Sequence, residues 1–393
     1  MSSMAQRSTD LRALDRQLTD NLIVRGEEML QPIASGSFTP NSQNLTQQVL
    51  MRAVGLTRGF LLKVTATLAN AGSGNATLTP FGAANLVSNV TLTDLDNYQR
   101  INTPGWHLDV LGASKEGFPF GAALLQSATD GPVAYGNNYN AISATATLAS
   151  GGGTGTVQMY YWIPCAYGMN DLRGALFTQV VNSAGYVAFT INSTPGVTTG
   201  DGTLAMYKGA NSNVSITNVQ YTMYQAYIDQ LPRWDSGPQQ GRPMLPPISI
   251  RTQYRLANTN LGAVAANQDF AIPFTNFQSF LSAAIIYDNG GVLNPGTDLN
   301  YWRLTAANTL QFFSVDPTTQ ALRSRFKLKT DMPAGSYLFD FRSAPINTNQ
   351  AGNIQLVANP SSASSSPPAQ FLVGWESFAD VATVLGAQSL ASS

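Results

Sequence analysis

Few residues in this chain of 393 could do chemistry. One histidine, His107, and one cysteine, Cys165, rule out a histidine-cluster metal centre, most histidine-dependent triads and an intrachain disulfide framework. Asp94 and Asp96 form a close carboxylate pair of the kind glycosidases use, but two acids within one turn more commonly cap it. Asp288-Asn289-Gly290-Gly291 with Asn294-Pro295-Gly296-Thr297-Asp298 could offer oxygens to calcium; the spacing fits no EF-hand loop, and a metal-free turn is the better expectation. Gly151-Gly152-Gly153-Thr154-Gly155-Thr156 lacks the Gly-Lys-Ser/Thr ending of a phosphate loop and precedes a strand pattern, so it reads as a strand connection. His107 itself, in Gly105-Trp106-His107-Leu108, is expected on a strand. No catalytic residue and no cofactor is expected.

Arg323, Arg325, Lys327 and Lys329 alternate with Ser324, Phe326 and Leu328. On a strand they would make one basic face, able to meet anionic lipid or an acidic neighbour or simply to face solvent. With Lys+Arg 21 against Asp+Glu 22, the chain has no basic excess for binding bare nucleic acid.

The elements that hold these residues are mostly β. Glu occurs four times and Lys five, while Thr, Val, Tyr and Phe abound and 34 Gly and 21 Pro punctuate the chain. The charged fraction is 11%, against roughly 25% in ordinary soluble domains, which suits subunits that remain packed together better than a dispersed monomer. No apolar run approaches a membrane span, and the start lacks the basic-then-apolar pattern of a signal peptide, so synthesis in the cytoplasm is expected.

Residues 1–45 form an N-terminal arm, in which Leu11, Leu14, Leu18 and Leu22 share one face of a short amphipathic helix over about 9–25. Ser8, Thr9 and Asp10 are its expected cap and Gly26 its stop. Such a helix must dock on its own body, on a neighbour or on lipid. Strand-like text follows at 60–68, 86–92, 144–148, 156–163 and 214–227, with long loops at 112–140 and 192–213. Five prolines between Pro232 and Pro247 mark a stiff connector. A second set lies at 248–256, 277–287, 321–330, 336–341, 353–357 and 371–378. About eight strands per half and no helical crossover favour two jelly rolls, 46–231 and 248–393, joined by 232–247.

Several blocks carry a specific resemblance. They are Gly105-Trp106-His107-Leu108, Met159-Tyr160-Tyr161-Trp162-Ile163-Pro164 with Ala166-Tyr167 and Asp171-Leu172, and the run from Tyr221 to Leu231-Pro232. Asp288-Asn289-Gly290-Gly291, Gly296-Thr297-Asp298-Leu299-Asn300-Tyr301 and the Asp331-Met332-Pro333-Ala334-Gly335 turn complete the set. In this order, over about 59–378, the chain resembles the major capsid proteins of tectiviruses, icosahedral phages with a membrane beneath a shell of adenovirus hexon-like coat proteins. The first 45 residues and the 192–213 loop show little detailed resemblance.

The resemblance implies an all-β double jelly roll, two eight-stranded rolls side by side, that assembles without catalysis into pseudo-hexagonal homotrimers tiling capsid facets. It implies neighbouring trimers, vertex and minor capsid proteins as partners, with the N-terminal helix near the viral membrane and no direct contact with nucleic acid. Leu11, Leu14, Leu18 and Leu22 would anchor that helix. The competing readings are a carbohydrate-binding or carbohydrate-active jelly-roll protein, using Trp106, Trp162, Trp302, Asp94 and Asp96, and an exported β protein.

Overall fold

Alternating apolar and polar side chains give a strand one face to bury, and two such sheets can bury their faces only against each other. The computed structural model of the chain resolves this pattern into two sandwiches. It describes residues 4–41, 44–116, 141–168, 170–179, 185–200, 202–275, 278–293, 298–306, 310–328, 331–348 and 353–380.

The first roll comprises β1 (Glu27–Phe38), β2 (Thr46–Leu50), β3 (Leu56–Asn70), β4 (Val87–Thr93), β5 (Gln99–Thr103), β6 (Gly153–Pro164), β7 (Tyr186–Ile191) and β8 (Val214–Asp229). One sheet runs β1-β8-β3-β6 and the facing sheet β2-β7-β4-β5. Phe60, Leu62, Val64, Ala66 and Leu68 of β3 are fully buried at every second position, and they share one core with Val187, Phe189 and Ile191 of the opposite layer. The strand β1 lies within residues that the sequence assigns to an N-terminal arm. It instead pairs along its length with β8, from Glu27 opposite Asp229 to Phe38 opposite Val219.

The second roll repeats the arrangement with β9 (Thr252–Leu261), β10 (Phe270–Pro273), β11 (Ser279–Asp288), β12 (Leu299–Ala306), β13 (Leu310–Val315), β14 (Ser336–Asp340), β15 (Ile354–Pro360) and β16 (Gln370–Asp380). Its sheets run β9-β16-β11-β14 and β10-β15-β12-β13, so each strand sits where its counterpart eight places earlier sits in the first roll. Trp302, Phe280, Phe371 and Trp375 fill its core. The rolls are fused through backbone. β5 pairs in parallel with β9, Ile101 with Leu256 and Asn102 with Ala257, which makes one continuous nine-stranded sheet across both, counting Ile346–Asn347 beside β11.

Among the described residues three α-helices complete the frame: α1 (Met4–Arg25), α2 (Gly105–Glu116) and α3 (Pro317–Leu328). Two of them correct the sequence reading. Trp106 and His107 lie on α2, and 321–328 belong to α3, where strands were expected. The helix α1 begins at Met4, ahead of the suggested Ser8, Thr9 and Asp10 cap, and stops at Gly26, whose N–H donates to Leu22 O at 2.9 Å. A Cβ on Gly26 would meet Ile228 Cγ2 at 2.3 Å, so glycine is required by close approach as well as by the stop. The proline-rich connector folds back on itself, with Arg233 bridged to Pro243.

Candidate assembly surfaces

The two rolls meet where α2 lies over the outer face of the β9-β16-β11-β14 sheet. In each roll one residue, Pro104 or Asp316, separates the fifth strand from a twelve-residue helix. On α2 that helix is sandwiched. Leu108 and Gly112 lie beside Trp162 and Pro164 of β6, and His107, Ser114 and Lys115 reach the second roll. The His107 ring rests on Gly374 of β16, where a Cβ would come within 2.4 Å of ring carbons.

At the centre of this seam stands Glu376, with no exposed surface. Lys115 Nζ lies 3.1 Å from one carboxylate oxygen and Arg342 donates to the other at 2.9 and 3.0 Å. Tyr254 Oη and Ser282 Oγ also donate, at 2.7 and 2.6 Å. Burial alone would raise the Glu376 pKa, but Lys115, Arg342 and these hydroxyls outweigh it and hold the carboxyl well below its usual range. This cluster ties α2 of one roll to three strands of the other, and its charged members are distant in sequence.

The basic residues do not form a strand face. On α3, Gln320, Ser324 and Leu328 are buried, while Arg323, Arg325 and Lys327 spread around the exposed side; Lys329 lies outside the described residues. Arg325 is 3.5 Å from Asp331, Lys327 is 3.1 Å from Asp340, and the Arg323 guanidinium sits 5.4 Å from the Phe313 ring. Phe326, 83% exposed, stands among these cations. The helix starts because Asp316 caps it, accepting from Thr319 N at 2.9 Å and Thr319 Oγ1 at 2.6 Å, with Pro317 in the first helical position. Its buried polar pair closes the rim of β14: Leu338 N donates to Ser324 Oγ and Gln320 Nε2 donates to Leu338 O, at 2.9 and 2.8 Å.

The leucines of α1 divide. Leu18 and Leu22 are buried, Leu22 among Leu56, Ala166, Leu172, Ala175 and Ile228 of its own chain. Leu14 is half-buried and Leu11 is 49% exposed. Asp15, off the leucine stripe, accepts from Ile248 N, Ser249 N and Ser249 Oγ at 2.7–2.9 Å and so pins α1 to the start of the second roll.

The remaining chemical candidates are structural. Asp94 accepts from Asp96 N and Tyr98 N and pairs with Arg100 at 2.5 Å, which holds the β4–β5 turn. Cys165 is buried, and burial pushes its thiol up to about 12. Burial also takes His107 down to about 3, with its Nδ1 2.6 Å from Thr103 Oγ1. Asp288 accepts from Thr203, Gly291 N and Gln370, and among the described residues no group of three acidic, His or Cys side chains gathers; 294–297 lie outside them. Trp106 and Trp302 are buried, so neither offers a face for a sugar ring.

The comparisons agree with this architecture. The P3 major capsid protein N-terminal model matches residues 21–231 and the P3 major capsid protein C-terminal model residues 251–392. Major capsid protein P3 of Enterobacteria phage PRD1 is 35% identical over 393 residues, covering 99% of this chain and 96% of that protein. The major capsid protein of Sulfolobus Turreted Icosahedral Virus shares the fold at a TM-score of 0.62 and 12% identity, over 90% of this chain and 97% of that one. The PBCV-1 virus capsid model matches at 0.52 and 10% identity, over 91% and 96%. A double jelly roll whose buried acids, histidine and thiol all serve packing is a structural part of a virion shell, and the chain belongs to the P3 major capsid protein family.

Proposed function

We propose that this coat protein works as a homotrimer, six jelly rolls in a pseudo-hexagonal tile, and that such trimers cover the facets of an icosahedral shell enclosing a membrane. The observation that carries the reading is the β5–β9 ladder, which sets two rolls of identical topology side by side within one chain. A relation of that kind is head-to-tail, and repeated between chains it closes into a ring when three copies bring six rolls together. The low charge of the chain favours lasting packing against neighbouring trimers and against vertex and minor capsid proteins.

On this reading residues 27–231 act as one roll, 232–247 as the connector and 248–380 as the other. The N-terminal helix lies on the inner side, with its exposed start at Leu11 and Leu14 directed to the membrane or to an adjoining trimer. Light scattering on the purified chain, with negative-stain images of the same peak, tests the central claim. Three times 41.9 kDa and a six-lobed outline are expected; a stable monomer or dimer overturns it. Replacing Leu11 and Leu14 by Asp should leave trimers intact and weaken shell assembly, and normal particles from that variant would remove the helix from the assembly surface.

A further inference from the structure

We infer that the cavity between the two rolls at the end away from α1, walled by Asn85, Trp106, Thr203 and Asp288, binds a neutral sugar whose hydroxyls donate to the Asp288 carboxylate. The site lies within one chain, so the inference stands apart from the homotrimer reading.

The place of the cavity follows from the strand directions. The β4–β5 turn sits on the α1 side, because Arg100 donates to Gly174 O and Gly174 N to Ser249 O, and Ser249 is the residue that Asp15 holds. The opposite ends of β4, β5 and β7 therefore point away from α1. The end of β11 joins them, since β9 runs parallel to β5 and Asp288 lies opposite Gln370 at the start of β16. Among these ends opens a cavity of about 380 Å³, within the range of small-molecule sites. The rolls touch beside it, where a Cβ on Gly200 would come within 2.7 Å of Gly291 O. A shell with α1 inside carries this cavity on its outer side.

Its walls are held from within. Asn192 Nδ2 donates to Asn85 O and Leu204 O at 2.9 Å each, and Asn85 Nδ2 donates to Thr203 O and Ala205 O at 3.1 and 3.2 Å. These bonds use both amide groups and leave Asn85 Oδ1 as an acceptor. Thr203 Oγ1 and Gly291 N donate to one Asp288 oxygen at 3.3 and 2.7 Å, and Gln370 Nε2 donates to the other at 2.9 Å. Asp288 is thus a buried carboxylate whose partners are all neutral, and its second oxygen keeps room for another donor. Trp106 also lines the cavity, and among the described residues its buried indole N–H has no partner. A hydroxyl serves both needs, donating to the carboxylate and accepting from the N–H, whereas an ammonium group serves only the first. Hydroxyl bonds to an ionised oxygen are the strong kind, which suits capture of a neutral polyol. Pro104, Val197 and Leu204 add apolar surface for the C–H faces of a sugar ring.

The test uses the full chain, in whichever oligomer it adopts. D-glucose, D-galactose, D-mannose and N-acetyl-D-glucosamine are offered separately in saturation-transfer NMR, and n-butylammonium is offered as a competitor. At least one sugar should give saturable transfer that n-butylammonium does not displace. Asp288→Asn, which keeps the size of the side chain and removes its charge, should weaken that binding about tenfold or more. Thr199→Trp and, separately, Leu204→Trp, at exposed positions in the cavity wall, should abolish it by filling the space. Arg323→Gln, on the exposed side of α3, should bind as wild type does. Unfolding midpoints establish that each variant is folded, and the two tryptophan variants decide the matter if Asp288→Asn does not fold. The absence of transfer from every one of these sugars, transfer that survives both tryptophan variants, or displacement of the sugar by n-butylammonium overturns the inference.

Discussion

The helices α2 and α3 have the same length and follow the same strand of the same fold, yet one is core and the other is surface. Trp106, His107, Leu108, Val110 and Leu111 on α2 are buried because two rolls close on it. On α3 only the face toward β14 is covered, and Arg323, Arg325 and Lys327 surround one exposed phenylalanine. Topology therefore fixes where a helix stands, while its side chains record whether a partner is supplied by the same chain. A subunit that must stay soluble before it assembles can bury α2 at once, but has to keep α3 charged.

This contrast predicts that changes at the covered junction act on folding and changes at the open one barely do. The largest effect is expected from Glu376→Gln, which leaves the largely covered Lys115 and Arg342 facing a buried site without its carboxylate. A loss of about 3–5 kcal/mol in urea unfolding is expected. Gly374→Val should follow at roughly 1–3 kcal/mol, because the new side chain enters the space of the His107 ring; an unchanged unfolding midpoint would mean that the rolls do not press together there.

The His107 titration gives a smaller, pH-dependent effect. Burial lowers its pKa from 6.5 to about 3, against an opposing pull from Glu376. Above 6.5 the imidazole is neutral both folded and unfolded; below it only the unfolded chain gains the proton. Stability should thus fall as pH drops from 6.5 towards 3, by at most about 1.4 kcal/mol per pH unit. His107→Gln should flatten that slope in unfolding curves taken between pH 6.5 and 4.5. Glu376 has the same sign at lower pH, since a carboxyl held below its ordinary range loses its contribution only as acid protonates it. At the open helix, Asp316→Ala removes the cap and should produce the smallest loss of the set, visible as a slight fall in Tm.

Most of the sandwich architecture was legible in the sequence, because period-two alternation such as Val219, Tyr221 and Met223 reports a half-buried strand directly. The two helices that build the junctions were not. On α2 burial on both sides removes the polar face, so Gly105-Trp106-His107-Leu108 shows no helical period. On α3 the buried face is made by Gln320 and Ser324, which do not register as apolar, while Arg323, Arg325 and Lys327 imitate a strand. The signal that identifies α3 was present in Asp316-Pro317, an N-cap followed by proline in the first turn. The Glu376 cluster leaves no local trace, since Arg342 and Glu376 are 34 residues apart and Lys115 joins them from the other roll.

The anchoring of α1 also sets an order in time. Glu27 pairs across from Asp229, and Asp15 reaches Ser249, 234 residues further along the chain. At about 5–20 residues per second of synthesis, α1 and β1 wait at least roughly ten seconds for the strand and the connector that receive them. Until β8 is made, β1 lacks the edge it pairs with and Leu22 lacks Ile228, one of the side chains that bury it. A nascent chain halted before Ser249 has the strand that receives β1 but not the backbone that holds Asp15.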